Sequence, residues 1–233
     1  MQIFITDDFQ IKGDIMSLYD ERVIYQLNKV LRAKEGYNFI IQNKQDNQVF
    51  RYEISLIEID KKIITGKVAL VDKNPIPDLS GGVVVSVLNN FSKMEMIVQK
   101  LSEIGVPKII FWVSERSVIR DINQSKLERF YKISLEAVEQ SNGLLIPEII
   151  FLKEDAKEFF HDKNIVCMDF DGVDVGKIDK SIEKYFVIGP EGGLTSQDYS
   201  KFEDDKTQKV CIGKTVLRAE TAAIVSGRIL SNL

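Results

Sequence analysis

The segment IGPEGGLT, residues 188–195, places a proline and three glycines within five positions of the chain. It directly follows the strand-like residues KYFV, although the chain has only 5 prolines and 14 glycines among 233 residues. Glycine permits positive φ and a close approach of the backbone to a ligand, whereas proline fixes φ. The pattern predicts a buried strand ending in a loop of narrowly set shape, which either turns tightly or surrounds a small molecule.

A second glycine-bearing strand end, IGKTVLRAETAA, occupies residues 212–223. Ligands of open α/β sheets bind outside the carboxyl ends of the strands. We therefore expect the loops 189–193 and 212–217 to be neighbours and to form one cleft of backbone groups for a planar heterocycle. Arg218 and Glu220 follow just before a predicted helix. Their alternative interpretation is an ordinary helix start with a surface ion pair.

The two ends of the chain differ in pattern. Residues 1–72 contain several strand-like runs and one helical stretch at 20–31, which together suggest a small barrel. Residues 72–82, DKNPIPDLSGG, have the composition of a linker. From residue 73 onward, continuous apolar strands alternate with helices, and this alternation predicts an α/β domain with a mostly parallel sheet. Within it, Ser92 and Glu95 predict a capping box and Gly105 a helix end.

Composition excludes several classes of protein. A net charge of −4 argues against a general polyanion binder, although a local patch could still read one structured RNA. Neither GxxxxGK[ST] nor GxGxxG occurs, so a P-loop or a Rossmann-type fingerprint is missing. Two cysteines in apolar runs and a single histidine predict buried, reduced thiols and no metal site, as in a cytoplasmic protein. We expect no membrane span and no signal peptide.

Basic residues form two groups that could contact RNA locally. The first lies in and beside the helix of the β-rich region and comprises Arg22, Lys29, Arg32 and Lys34. The second comprises Arg116, Arg120, Lys126, Arg129 and Lys132. Phosphate contacts of this kind position a nucleic acid without reading its sequence. For the first group, an ordinary solvated helix face is an equally good interpretation.

With these motifs in view, the chain resembles the ribosomal RNA small-subunit methyltransferase E family along nearly its whole length. The pair IGPEGGLT and IGKTVLRAETAA carries the resemblance, supported by VLRAKEG, SKMEMIVQKLSEIGV, SERS and LEAVEQS. The resemblance implies methylation of N3 of a uridine in 16S ribosomal RNA, with S-adenosylmethionine as cofactor. It also implies a PUA-like RNA-binding barrel at 1–72, a SPOUT α/β domain with a trefoil knot at 73–233, and a homodimer.

The same resemblance assigns site residues. Those that would bind the cofactor are Gly189, Pro190, Glu191, Gly192, Gly193, Ile212, Gly213, Val216 and Leu217. Arg218 is expected to stabilise charge on the uracil oxygens, and Glu220 to orient Arg218 or to accept a proton. The RNA contacts would come from Arg22, Lys29, Arg32, Lys34 and Arg116.

The chain departs from the family where Asn142–Leu145 and Lys214-Thr215 replace expected arginines. These changes bear on how RNA is held and leave both glycine loops intact. Two further hypotheses stay open at this stage. One is a catalytically silent RNA-binding or ribosome-assembly factor, and the other is a SPOUT enzyme with a different RNA target.

Overall fold

The computed structural model describes residues 1–76, 80–153, 156–178 and 183–231. The chain forms two compact units. The first is Met1–Pro77 together with Glu139–Leu144, and the second is Asp78–Val138 together with Leu145–Leu233. In the described residues, no helix is long and apolar enough to span a membrane.

The first unit is built on a six-stranded sheet in the order β1-β4-β5-β6-β3-β2. Its strands are β1 (Gln2–Ile5), β2 (Phe9–Lys12), β3 (Ile15–Leu18), β4 (Asn38–Gln45), β5 (Gln48–Ile59) and β6 (Ile64–Pro75). β1 pairs parallel with β4, and the other pairs are antiparallel. The linker predicted from residue 72 therefore begins too early, because β6 continues to Pro75 and residues 77–79 lie outside the described part.

The hairpin β2–β3 was not predicted. Each of its strands has only four residues, so the period-two signal is too short to stand out. The turn is formed by Gly13 and Asp14, and Gly13 has φ +63°. Glycine before a polar residue between two short alternating runs is the signal that could have revealed this hairpin.

One helix covers the core of the first unit. α1 (Glu21–Tyr25) begins after Asp20, whose side chain accepts hydrogen bonds from two backbone N–H groups, and it continues as a π-helix over Gln26–Val30. Val23, Ile24 and Leu27 are buried against the apolar face of the sheet. The helix predicted over 20–31 is thus present, with its last turn widened.

The second unit contains a six-stranded sheet in the order β12-β10-β11-β7-β8-β9, and all of its pairs are parallel. The strands are β7 (Gly82–Ser86), β8 (Lys108–Trp112), β9 (Glu148–Leu152), β10 (Ile165–Asp174), β11 (Tyr185–Ile188) and β12 (Thr207–Cys211). The prediction of an α/β fold with a parallel sheet is confirmed. The edge strand β9 was not predicted.

The helices of the second unit are α2 (Phe91–Ile104), α3 (Gln124–Ser141), α4 (Lys157–Phe160), α5 (Ser196–Tyr199) and α6 (Ala219–Leu230). The end of α3, from Glu139, groups with the first unit. Successive residues of β7 point to opposite faces, yet Val83, Val84 and Val85 are all buried. This burial on both faces explains why the strands read as continuous apolar runs.

Two local predictions in the second unit are wrong. α2 is capped by Asn90, whose side chain accepts from the Ser92 N–H at 2.8 Å, so Ser92 is not the cap and Glu95 completes no capping box. Gly105 does end α2, in the left-handed conformation. Cys167 is buried as expected, whereas Cys211 is only half-buried because it lies at the end of the edge strand β12.

Candidate active site

A cavity of about 110 Å³, partly open to solvent, lies beside the irregular part of β10 and the end of β12. β10 and β12 are adjacent strands whose pairing shifts register between Met168 and Val173 of β10, and this irregularity lies next to the segment that follows β12. The cavity is lined by Met168, Asp169, Phe170, Val210, Cys211, Ile212, Gly213, Thr215, Val216, Leu217 and Ala222. Its mixture of apolar side chains with a few polar groups is that of a small-molecule site.

The second predicted loop forms one wall of this cavity, through Ile212, Gly213, Val216 and Leu217. A Cβ added to Gly213 would meet no heavy atom within 4 Å among the described residues, so the backbone there is open to a ligand. Val216 is 82% exposed although it is apolar. An exposed apolar side chain beside a cavity is a surface that a bound molecule would cover.

The first predicted loop, Gly189–Gly193, does not line this cavity in the described part of the chain. The reason is the order of the sheet, in which β10 lies between β11 and β12. One cleft made of both loops stays a prediction. Met168, Asp169 and Phe170, in the irregular part of β10, form the other wall of the cavity and were not predicted as site residues.

Asp169 is the polar residue of the cavity wall formed by Met168–Phe170. Its carboxylate accepts hydrogen bonds from the Tyr199 hydroxyl at 3.0 Å and from the Asp171 N–H at 3.2 Å, and it lies 3.3 Å from Lys209 Nζ. Burial raises the pKa of Asp169, but the hydrogen bonds and Lys209 together hold it below its usual value. The cavity thus contains an oriented, ionised carboxylate.

The loop after β11 is fixed by its own backbone and by two cationic side chains. Gly193 has φ +71°, and its N–H donates to the Pro190 carbonyl oxygen at 2.8 Å. The Arg116 guanidinium donates to the Gly192 carbonyl oxygen, and Lys93 Nζ lies 3.1 Å from Glu191 Oε1. The loop is therefore a tight turn, and this does not exclude ligand binding. A tight turn at the end of β11 still presents the backbone groups of the loop to a ligand.

Arg116 comes from the loop of residues 114–120, which contacts the loop after β11 at more than one point. The Glu115 N–H donates to the Asp198 carboxylate at 2.9 Å, and the Thr195 hydroxyl donates to the Glu115 carboxylate. Thr195 and Asp198 also form a capping box at the start of α5. Arg116 is exposed, so its outer face can still contact a ligand or RNA.

Arg218 is the N-terminal flanking residue of α6 and is exposed. Within the described residues, no carboxylate pairs with it. Glu220, in the first turn of α6, is buried and lies 3.5 Å from Lys93 Nζ. The cation next to the Glu220 carboxylate is thus Lys93 and not Arg218. The contacts therefore give no support to the hypothesis that Glu220 orients Arg218 directly. Sequence reasoning had missed Lys93.

Of the basic residues in the first unit, Arg22 already has a structural partner. Its guanidinium lies 3.0 Å from the Glu139 carboxylate and donates to the Ile5 carbonyl oxygen at 3.0 Å. Lys29, Arg32 and Lys34 are exposed and form no ion pair with any described residue. These three remain available to a polyanion, whereas Arg22 is explained by its contacts within the unit.

The parallel sheet and the cavity beside β10 and the end of β12 define a ligand-binding α/β domain, and residues 80–231 match the family described as RNA methyltransferase domain. The chain is 30% identical over 244 residues to ribosomal RNA small subunit methyltransferase E of Buchnera aphidicola, covering 97% of this chain and 90% of that protein. It is 26% identical to methyltransferase E 2 of Borreliella burgdorferi, covering 97% and 95%. The chain belongs to the ribosomal RNA small subunit methyltransferase E family.

A solved structure has the same fold. The methyltransferase E of Neisseria gonorrhoeae, crystallised with S-adenosyl methionine, superposes with a TM-score of 0.81 at 23% identity, covering 100% of this chain and 97% of that one. A methyltransferase from Legionella pneumophila superposes with a TM-score of 0.77 at 21% identity, covering 99% and 96%.

Proposed function

We propose that this protein methylates N3 of a uridine in 16S ribosomal RNA, with S-adenosylmethionine as the methyl donor. The observation that carries the proposal is the cavity beside β10 and the end of β12, which also lies next to the start of α6, the helix that Arg218 precedes. Membership of the methyltransferase E family and the cofactor named for the Neisseria relative support it.

The residues of the cavity fit this cofactor. Phe170, Val216 and Leu217 offer apolar surface to a heterocycle, and the Asp169 carboxylate offers acceptors to hydroxyl groups or to a cation. Gly213 leaves the backbone open, as a ligand held by main-chain groups requires. We assign cofactor binding to these residues together with Ile212 and the loop Gly189, Pro190, Glu191, Gly192 and Gly193. When bound, S-adenosylmethionine supplies an electrophilic methyl group on a sulfonium.

The chain's own residues must then prepare uracil N3, which is protonated at neutral pH. Arg218 is always charged and its guanidinium is free in the described structure, so it can stabilise the negative charge that develops on the uracil oxygens. Glu220 Oε2 is buried and has no hydrogen-bond partner among the described residues, but it lies 3.5 Å from the Lys93 ammonium group. We retain Glu220 as the candidate acceptor of the N3 proton.

RNA binding is assigned to the first unit, as a PUA-like domain, and to Arg116. Lys29, Arg32 and Lys34 would contact phosphates, and exposed Tyr25, Val30 and Leu31 in the same segment add apolar surface. The trefoil knot, the homodimer and the cytoplasmic location belong to the same proposal. They are what the family resemblance implies.

Methyl transfer to ribosomal RNA tests the proposal. Small subunits and free 16S RNA from a strain lacking this gene would be incubated with the protein and isotope-labelled S-adenosylmethionine, and the nucleosides identified by mass spectrometry. We expect labelled 3-methyluridine. Labelled RNA without 3-methyluridine would indicate another target atom, and cofactor-independent RNA binding without any transfer would indicate a silent assembly factor.

A further inference from the structure

Lys93 joins three segments of the second unit that are far apart in sequence. Its Nζ donates to Glu191 Oε1 at 3.1 Å, in the loop after β11, and lies 3.5 Å from Glu220 Oε2, in the first turn of α6. The Glu220 side chain is only 10% exposed, whereas that of Glu191 is 48% exposed. One ammonium group therefore links an exposed loop carboxylate to a buried helix carboxylate.

The position of Lys93 is not explained by the stability of its own helix. It lies in the first turn of α2, where the helix dipole disfavours a cation. Lys100 on the same helix shows the ordinary alternative, because it pairs with Glu103 one turn further on, at 2.7 Å. Lys93 instead points away from its helix to two carboxylates of other segments.

Lys93 and Glu191 favour each other's charged forms. The hydrogen bond to Glu191 is the largest of the effects that raise the pKa of Lys93. A backbone hydrogen bond, followed by Lys93 itself, holds the pKa of Glu191 below its usual value. The bridge therefore consists of one ammonium group between two carboxyl groups, and Lys93→Met removes the group that joins them.

We propose that Lys93 is a positioning residue, whose ammonium group fixes the loop 189–193 against the start of α6 and so sets the place of Arg218. The role of this bridge in catalysis rests on the proposed methyltransferase function. The bridge itself does not, because it is defined by contacts within the unit. Lys93 thus acts through Glu191 and Glu220 and need not touch the RNA or the methyl group.

Lys93→Met tests the charge while keeping an apolar stem, Lys93→Arg keeps the charge, and Lys100→Met is the matched control on the same helix. The first readout is hydrogen exchange at two amides in the protein without ligand. The Gly193 amide donates to Pro190 within the loop, and the Ala222 amide donates to Arg218 at the start of α6. The second readout combines cofactor affinity by calorimetry with the single-turnover transfer rate at saturating cofactor.

We expect Lys93→Met to speed exchange at both amides about threefold, as loss of a partly exposed ion pair allows. Lys93→Arg should restore protection, and Lys100→Met should exchange like the wild type. The transfer rate of Lys93→Met should fall even when cofactor saturates. A double variant with Glu191→Gln should be no worse than Lys93→Met alone, because both changes break one bridge.

Wild-type exchange at both amides in folded Lys93→Met would overturn the proposal. If Lys93→Met gives no folded protein, Glu191→Gln breaks the bridge from its exposed end. Faster exchange at Gly193 in that variant would support the proposal, and an unchanged rate would overturn it. A wild-type protein that neither binds S-adenosylmethionine nor methylates RNA would refute the proposed function, and the exchange results would still decide the role of the bridge.

Discussion

Arg22 Nη1 lies 3.0 Å from both carboxylate oxygens of Glu139. The same carboxylate accepts from the Ile5 N–H at 2.8 Å, and Arg22 returns a hydrogen bond to the Ile5 carbonyl oxygen. Glu139 is 6% exposed, so its charge depends on these donors. Arg22 was a candidate RNA contact by sequence, but its contacts make it part of the framework of the first unit.

Arg22→Gln should therefore destabilise the protein by about 2 kcal/mol at neutral pH, because it leaves a buried carboxylate without its cation. The value is below that of a fully buried pair, since Arg22 is half-buried. Urea unfolding of the two proteins measures the difference. If RNA affinity falls in Arg22→Gln while stability stays unchanged, Arg22 would instead be an RNA contact.

The loss of stability caused by Arg22→Gln should also depend on pH. Burial raises the pKa of Glu139, and the Ile5 N–H and Arg22 only partly offset this. A raised carboxyl pKa gives a contribution to stability that is complete below the unfolded-state pKa and is lost as pH rises through the folded-state pKa. Removing Arg22 raises the folded-state pKa further. The loss of unfolding free energy caused by Arg22→Gln should hence be smaller at about pH 4, where Glu139 is protonated in the folded state of both proteins.

Arg32→Glu together with Lys34→Glu should weaken RNA binding and leave cofactor binding unchanged. Both side chains are exposed and unpaired among the described residues. The slope of log affinity against log salt should become shallower by about one unit for each lost phosphate contact. Filter binding over a salt series measures this slope.

Lys61→Glu together with Lys62→Glu is the matched control for that variant, since these lysines are also exposed in the first unit and the change in net charge is the same. We expect this control to bind RNA with nearly the wild-type slope. Equal slopes in the two double variants would show that net charge, and not this basic segment, attracts the RNA.

Arg218→Ala should lower the transfer rate about a hundredfold, as loss of one preorganised donor at a developing oxyanion does. Cofactor affinity should change little, because Arg218 does not line the cavity. Single-turnover rates at saturating cofactor, compared with the cofactor Kd of the same variant, separate these effects. Arg218→Lys should recover part of the rate, since an ammonium lacks the planar donor fork.

The rival explanation is that Arg218 only holds its loop in place. In that case Arg218→Ala would weaken cofactor binding in proportion to the lost rate. Full recovery of the rate at saturating cofactor would end the catalytic assignment of Arg218.

The parallel sheet and the loop after β12 were predictable from sequence because buried parallel strands have a recognisable local pattern. Apolar runs such as VVVSV and YFVI are strands buried on both faces, and Gly189 directly follows β11 just as Gly213 closely follows β12. Met168–Phe170 directly continue the buried run Ile165–Cys167, so a strand over them was predictable. Their place beside the cavity was not, because it depends on the irregular pairing of β10 with β12 between Met168 and Val173.

Contacts between distant segments have no local sequence pattern that would predict them. Lys93 and Glu191 are 98 residues apart, and nothing in either segment encodes their meeting. The pairing of Arg22 with Glu139 spans 117 residues and is equally non-local. Asn90 and Ser92 are both good capping residues, and the choice between them depends on the backbone entering α2. Such outcomes are decided by tertiary packing.

Calorimetric titration of S-adenosylmethionine into the wild type and into Gly213→Val tests most directly whether this cavity binds the methyl donor. A side chain at position 213 meets open space at the edge of the cavity and its φ lies outside the left-handed region, so the variant should fold with unchanged thermal stability. We expect binding to the wild type and at least about a tenfold weaker affinity in Gly213→Val, from steric conflict with the ligand. Wild-type affinity in the folded variant would place the methyl donor outside this cavity.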